Sequence, residues 1–426
     1  MFNETVHLDG HIIDSGTLSK VLDLILLHGG DYEIITFNIG TTREAASHAE
    51  IVIRAESQDD LHRILQEVGQ HGAAPLAHDA EWAGAPSDGV FPDDFYSTTN
   101  LESYVHHAGR WLPVEQIEMD CGVVLREEAD GPHATTVPLH RVKRDDRVLI
   151  HEAGVRVVPA PRKDPVSVFG FMSSEVSAER PKELTVAAVA EGMIDTRRRG
   201  QRILFVGGPA IIHTGAGRYL EALIAGRWID VLFAGNALAT HDIESALLGT
   251  SLGVRLATGV PTATGHNHHL RAINAIRAAG GIRPAVERGV LTSGVMHACV
   301  ANGVDYVLAG SIRDDGPLPD VVTDSVRAQD EMRTRIAGVG LAIMVATTLH
   351  SVATGNLLPA SVRIICVDNN TDAVTKLMDR GTRQAFGLVT DCQFFLKELA
   401  ARLEGRTAGQ SGSDRVSAGR IGSDRV

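Results

Sequence analysis

The sequence predicts an α/β protein whose C-terminal half is a doubly wound parallel sheet, preceded by a ferredoxin-like α+β subdomain and a small β-rich subdomain. Three observations predict it. From about residue 184 to 403, short apolar runs alternate with helical stretches, and each run ends in a turn rich in Gly, Asn, Ser or Thr. Strands buried on both faces of a parallel sheet read this way. The first hundred residues follow the order β-α-β-β-α, which fits a split βαβ layout. Between them, from about 97 to 160, short apolar runs are separated by polar or Gly-containing turns, as in a compact β-rich unit. The expected divisions are 1–96, 97–165 and 166–405, with 406–426 as a tail.

In the first division Val6 to Ile13 reads as a strand, and Leu18, Val21, Leu22 and Ile25 follow the spacing of one helix face. Gly29 and Gly30 end that helix. Ile35, Phe37 and Ile39 alternate as a strand does, and Ala49 to Ala55 forms another. Ser57, with Asp60 three residues on, opens a helix whose apolar face is Leu61, Ile64, Leu65 and Val68. The second division holds the runs Cys121–Leu125, Thr136–Leu139, Arg147–Ile150 and Val155–Val158, and Pro159–Pro165 connects it onward.

In the third division the candidate strands are Ile203–Val206, Val231–Ala234, Tyr306–Ala309, Ile364–Asp368 and Phe386–Val389. Ile336 to Leu358 contains no Asp, Glu, Lys or Arg and is long enough to cross a bilayer. Its His350, Asn356 and several Ser, Thr and Gly residues favour a helix buried in an α/β core instead. The final residues repeat Gly412–Val416 as Gly422–Val426 in a polar, Gly/Ser-rich context, which cannot bury a core and reads as a disordered tail.

Composition excludes several classes. With 44% apolar and 22% charged residues among 426, the chain has the profile of a globular enzyme. A formal net charge of −13 argues against nonspecific nucleic-acid or anionic-membrane binding, which needs clustered Lys and Arg. The four cysteines, Cys121, Cys299, Cys366 and Cys392, form no CxxC pair and read as small core hydrophobes in a reducing compartment. The 19 histidines are scattered, so spacing alone indicates no metal. The N-terminus lacks a basic start followed by an apolar run, so a cytoplasmic location is expected.

Ligands of an open parallel sheet bind at the carboxyl ends of its strands, and the unusual residues cluster there. Gly207, Gly208, Pro209 and Ala210 follow the first strand, and His213–Gly217 precedes a helix. Such glycines let a backbone approach a phosphate, or simply make a tight turn; this is not the G-x-G-x-x-G fingerprint. Asn236 and Ala237 follow the second strand, where Asn can bond a ribose or a carboxamide, or cap a helix. Asp368 ends its strand and can accept both ribose hydroxyls of an adenosine or cap the next helix; Asp391 invites the same two readings. Gly310–Pro319 sets Arg313, Asp314 and Asp315 on a stiffened loop, where a guanidinium beside carboxylates can clamp an amino acid. In Gly265–His269 three imidazoles lie close in sequence, and one of them is a candidate for proton transfer.

These stretches resemble a known family. Gly10–Ser15, Phe171–Ser177, Gly207–Ala210, Ala234–Ala239, His241–Glu244, Gly249–Gly253, Leu308–Asp320, Leu349–Ser351, Gly355–Pro359 and Cys366–Asp368 are similar to the archaeal-type, NAD-dependent ornithine cyclodeaminases. That family carries the LOR/SDH bifunctional enzyme conserved region and is similar to the C-terminal part of cyanobacterial arginine dihydrolase/ornithine cyclodeaminase. The resemblance covers about residues 3 to 403. It implies a C-terminal NAD-binding fold like that of deoxyhypusine synthase, a homo-oligomer, and conversion of ornithine to proline and ammonia with NAD recycled in the site. Carried over by position, Asn236, Ala237, Asp314, Thr347, Thr348, Leu349, His350, Asp368 and Asp391 are NAD contacts, beside the Gly208–Pro209 turn. The roles expected on the substrate are Arg313 on the carboxylate, Asp315 on an amine, and His266 or His350 for proton transfer. The family's label also leaves an amino-acid dehydrogenase of the lysine-ketoglutarate reductase/saccharopine dehydrogenase type as an alternative, and a non-enzymatic NAD-sensing regulator with a ligand-binding N-terminal domain is a further one.

Overall fold

The computed structural model describes residues 2–13, 15–41, 45–75, 79–129, 131–158, 176–177, 182–255, 267–314, 316–380, 385–404 and 406. His266, Asp315, the Pro159–Pro165 connection and the 407–426 segment lie outside the described residues. The chain divides into two units: Met1–Ser177 with Thr348–Cys366 and Thr371–Leu388, and Ala178–Thr347 with Val367–Asn370 and Val389–Val426.

The first unit begins with β1 (Phe2–Gly10), α1 (Thr17–Leu27), β2 (Asp31–Asn38), β3 (Ser47–Ala55), α2 (Gln58–Gly69) and β4 (Ala74–Pro75). The sheet is antiparallel in the order β2-β3-β1-β4, the ferredoxin-like arrangement. Alternation in β3 is complete: Ala49, Ile51 and Ile53 are buried against Val21, Ile25, Leu61, Ile64 and Val68, while His48 and Glu50 take the other face. Ser57 caps α2 as its spacing predicts, accepting the Asp60 N–H at 3.1 Å. Two details depart from the sequence pattern. The first strand starts at Phe2 rather than Val6, because every residue from Phe2 to Gly10 has a partner on β3. The β2 register shifts between Ile34 and Thr36, so Ile35 bulges, and Ile35, Phe37 and Ile39 are exposed.

Next come β5 (Glu81–Gly84), β6 (Ser103–His107), β7 (Arg110–Glu115), β8 (Gly122–Glu128), β9 (Gly131–Val137), β10 (Arg147–Ile150) and β11 (Val155–Val157). They form a seven-stranded sheet in the order β11-β6-β7-β9-β8-β10-β5 around Val105, Val123, Ala134 and Leu149. β5 pairs with β10 along its whole length, so this sheet already receives chain ahead of residue 97.

The remaining elements alternate. They are β12 (Val176–Ser177), α3 (Lys182–Arg198), β13 (Arg202–Gly207), α4 (Ala210–His213), α5 (Gly217–Ala225), β14 (Val231–Gly235) and α6 (Asn236–Leu248). A short hairpin, β15 (Thr250–Ser251) and β16 (Val254–Arg255), precedes α7 (His268–Ala279), α8 (Ile282–Glu287) and α9 (Val295–Asn302). Then follow β17 (Asp305–Ala309), β18 (Val321–Val322), α10 (Ser325–Arg335), β19 (Val339–Val345), α11 (Thr348–Leu357), β20 (Arg363–Asp368), α12 (Thr371–Arg380), β21 (Ala385–Val389) and α13 (Cys392–Leu403).

In the second unit β19, β13, β14, β17 and β18 lie side by side in that order, all parallel. Their interiors are apolar on both faces: Ile203 to Gly207 and all of β19 are buried. The chain steps outward from β13 through β14 to β17, then returns to β19 on the far side of β13. At the carboxyl edge the Ala346 N–H donates to the Val367 carbonyl at 2.9 Å, and the Thr390 N–H to the Asp368 carbonyl at 3.0 Å. Those two bonds carry the edge on through the ends of β20 and β21.

The segment read as one buried helix, 336–358, is corrected by the structure to a strand and a shorter helix, β19 and α11. A short charge-free apolar run suits a central strand as well as a buried helix, and periodicity does not separate them. Among the described residues no helix is long and apolar enough to cross a membrane.

Candidate active site

The reversal of strand order between β13 and β19 is a topological switch point, where loops leave in opposite directions and open a crevice. Its floor is close-packed. A Cβ on Gly208 would lie 1.8 Å from the Ala346 carbonyl oxygen and 3.1 Å from Thr347 Cβ, so only glycine fits. The Gly208 N–H is spent on the Val345 carbonyl at 3.0 Å. Gly208 therefore keeps two backbones in contact, while Pro209 directs the chain into α4. Directly opposite, Ala346 has φ of 55°, a left-handed conformation that costs a residue with a Cβ about 1–3 kcal/mol. That strain sits at the residue before Thr347, one of the expected contacts.

The other expected residues fall along the same edge in strand order. Asn236 opens α6 after β14; it is buried, and its Oδ1 accepts the Leu318 N–H at 3.1 Å and the Thr240 hydroxyl at 3.2 Å. It thus pins the Gly310–Pro319 loop against the first turn of α6, next to half-buried Ala237. In that loop Asp314 accepts the Ser311 N–H at 2.8 Å, and Arg313 is exposed. Asp368 is half-buried, and its Oδ1 accepts the Asn370 N–H at 2.9 Å. Asp391 caps α13, its Oδ1 accepting from Gln393 and Phe394 at 2.8 and 3.0 Å. Thr348, Leu349 and His350 open α11 and are grouped with the first unit; Leu349 is exposed. The structure thus draws Gly208, Asn236, Thr347, Asp368 and Asp391 onto one edge and leaves the exposed Arg313 on a loop tip.

Beside this edge lies a buried polar network that spacing did not reveal. Glu244, on α6, is fully buried, yet it receives hydrogen bonds on both oxygens. The His241 Nδ1–H donates to its Oε2 at 2.8 Å, and the Thr250 hydroxyl and Gly253 N–H donate to its Oε1 at 2.8 and 3.0 Å. His268 Nδ1 donates in turn to the Thr250 oxygen at 2.8 Å. Burial pushes the Glu244 carboxyl up, but the His241 ring, the Gly253 N–H and the Thr250 hydroxyl outweigh it and hold it below the usual range. A carboxylate that fixes Nδ1–H leaves Nε2 of His241 as the basic nitrogen, the arrangement of an oriented general base.

His213, at the end of α4, stacks edge-on against His241 with centroids 4.8 Å apart and bonds Ser251 Oγ at 2.7 Å. Burial, reinforced by repulsion from His241, holds its pKa below the ordinary value, which favours a neutral ring. The residues had appeared in four separate stretches, His213–Gly217, His241–Glu244, Gly249–Gly253 and Gly265–His269, of which only the last was read for acid–base chemistry. Only folding joins them.

A second buried carboxylate on α6 is structural. Asp242 accepts the Val295 and Met296 N–H groups, both at 2.8 Å, and so caps α9. Burial raises its pKa to about 7, against those two bonds and with help from Glu221.

An open parallel sheet with a crevice at its switch point and polar groups ranged along its carboxyl edge defines a Rossmann-fold protein of the dinucleotide-binding type. Three family models match in succession. The LOR/SDH bifunctional enzyme conserved region spans residues 3–101. The first region of the arginine dihydrolase ArgZ-like C-terminal part spans 102–186, and its Rossmann fold spans 187–399. A protein of Methanothermobacter thermautotrophicus named ornithine cyclodeaminase is 50% identical over 401 residues, 94% of this chain and 97% of its own. The chain belongs to this ornithine cyclodeaminase family. The cyanobacterial ArgZ apo structure superposes with a TM-score of 0.79 at 36% identity, covering 94% of this chain but 58% of that one. A ternary complex of AgrE with ornithine and NAD+ matches at a TM-score of 0.51 and 38% identity, over 94% of this chain and 57% of that protein.

Proposed function

We propose that the chain is an NAD-dependent ornithine cyclodeaminase, converting L-ornithine to L-proline and ammonia. The observation that carries this reading is the AgrE complex holding both ornithine and NAD+ on a chain that matches nearly all of this one. NAD, when bound, would supply the redox chemistry, a reversible hydride acceptor for the ornithine α-carbon, with no net release of NADH.

The donor set at the sheet edge suits that cofactor. Asp368 has Oδ2 for ribose hydroxyls while Oδ1 holds the turn, and its charge disfavours a 2′-phosphate. Asn236 would recognise the cofactor through its amide Nδ2, because its Oδ1 is taken by Leu318 and Thr240. Ala237, Asp314, Thr347, Thr348, Leu349, His350 and Asp391 complete the proposed contacts, and Gly208 and Pro209 shape the crevice.

On the substrate, Arg313 grips the carboxylate and Asp315 pairs with an amine. His241, oriented by Glu244, is a proton carrier beside the expected His350; His266 falls outside the described residues. Cyclisation requires the δ-amine to lose a proton before attack and the departing nitrogen to gain one, and a single imidazole can serve both transfers.

The test is to incubate purified enzyme with ornithine and assay proline, ammonia and NADH together. Equal proline and ammonia with no NADH supports the reading; NADH with an oxo-acid product replaces it with an amino-acid dehydrogenase.

A further inference from the structure

We propose that His7, His48 and Glu50 form a binding site for one divalent transition-metal ion of the zinc class, on the face of the four-stranded sheet opposite α1 and α2. The proposal goes beyond ornithine turnover and does not depend on it.

Strand register creates the cluster. β1 and β3 pair antiparallel with His7 opposite Glu50 and Asp9 opposite His48. Since side chains alternate and Val6, Leu8, Ala49 and Ile51 fill the core, these four polar residues share the opposite face. Donor atoms of His7, His48 and Glu50 all lie within 4.8 Å of one another. Glu50 Oε1 stands 3.7 Å from His7 Nδ1 and 3.7 Å from His48 Nε2. Around a tetrahedral ion with bonds of about 2.0–2.1 Å, neighbouring donors lie roughly 3.3 Å apart, so these side chains need only small adjustments to close on an ion.

The outer contacts match those of metal sites, where non-ligating atoms are held by hydrogen bonds. The His48 Nδ1–H donates to Asp9 Oδ1 at 2.7 Å, which selects the tautomer with a lone pair on Nε2. The Thr36 hydroxyl donates to Glu50 Oε2 at 2.9 Å, which leaves Oε1 turned to both imidazoles. The three ligand side chains are 19–31% exposed, so an ion can enter, and three protein ligands leave a fourth position for water or a further donor. His7 lies 41 residues before His48 and 43 before Glu50, which is why spacing alone indicated no metal.

Full-length protein stripped with chelator and titrated with Co2+ should develop the visible absorption of a tetrahedral N/O site at one ion per chain, and Zn2+ should displace it. His48→Ala and Glu50→Gln should abolish this stoichiometric binding, and Asp9→Asn should weaken it about 10- to 100-fold. Zn2+ should raise the Tm of the wild type and not of His48→Ala, with matching circular dichroism showing that both are folded. Absence of stoichiometric binding in the wild type overturns the site, as does an unchanged Co2+ spectrum in His48→Ala and Glu50→Gln. Either result leaves the cluster as a histidine shared between Asp9 and Glu50.

Discussion

A carboxylate at the end of a parallel strand can brace the next turn or receive a ligand's hydroxyls, and the role proposed for Asp368 divides its two oxygens between these. Its Oδ1 accepts the Asn370 N–H. Hydrogen bonds to a charged group contribute about 1.5–3 kcal/mol, so Asp368→Ala should weaken NAD binding roughly ten- to a hundred-fold by calorimetry. A change under about twofold would assign the residue to the turn alone. Positioned acid–base groups contribute about 10²–10⁴-fold; His241→Gln should therefore lower kcat within that range while NAD affinity holds. Glu244→Gln should cut kcat as well, because an amide cannot accept from His241, Thr250 and Gly253 as the carboxylate does. If both variants keep wild-type kcat, the network is structural. At this scale the sequence was half legible. Pattern alone places Asp368 at the end of its strand and Asn236 at the start of its helix, but does not choose between a cap and a ligand contact. The His241–Glu244 pair could not be ranked, because its importance comes from Thr250 and His268, brought to it by the fold.

Elements are joined in the second unit at points where backbone nearly touches backbone, and the consequences can be measured. Gly208→Ala puts a methyl 1.8 Å from the Ala346 carbonyl, so β13 and β19 must separate at their carboxyl ends. Overpacking typically costs about 1–3 kcal/mol, and rigid backbone on both sides places this case at the upper end. A lowered denaturation midpoint together with weakened NAD binding is expected; an unchanged midpoint would mean the crevice is loose. The joint between α6 and α9 predicts a pH dependence. Burial lifts Asp242 from 3.8 to about 7. Above about pH 4 the unfolded chain has lost this proton while the folded chain keeps it to about pH 7. The Asp242 contribution to stability is thus full below that window and falls as pH rises through it. Urea melts across the window should show this slope in the wild type and its absence in Asp242→Asn. Most elements were legible because propensity, pattern and caps agreed, as at Ser57 and in β3. The exceptions were β5, β6 and β7, which the apolar runs of the second division did not include, and β19, the central strand at the switch point, whose charge-free run continues into α11 with no polar break to mark the change of period.

For the molecule as a whole, the decisive property is that its reaction should leave the cofactor as it found it. Ornithine loses ammonia to become proline with no net oxidation, so the hydride removed from the α-carbon must come back to that same carbon. A site at the switch point of one sheet, with the proposed donors on one strand end after another, would suit holding the reduced cofactor through ring closure. Isotopes test this directly. Ornithine deuterated at the α-carbon, given to enzyme in ordinary water with excess unlabelled NADH, should yield proline that keeps its deuterium at carbon 2 when measured by mass spectrometry. Loss of the label to the NADH pool would mean that the cofactor exchanges between the two transfers, and the enzyme would then run as two separate dehydrogenase half-reactions. Loss of the label to solvent would mean that the α-hydrogen leaves as a proton. That result would remove NAD from the chemistry and turn the sheet edge into a regulatory site.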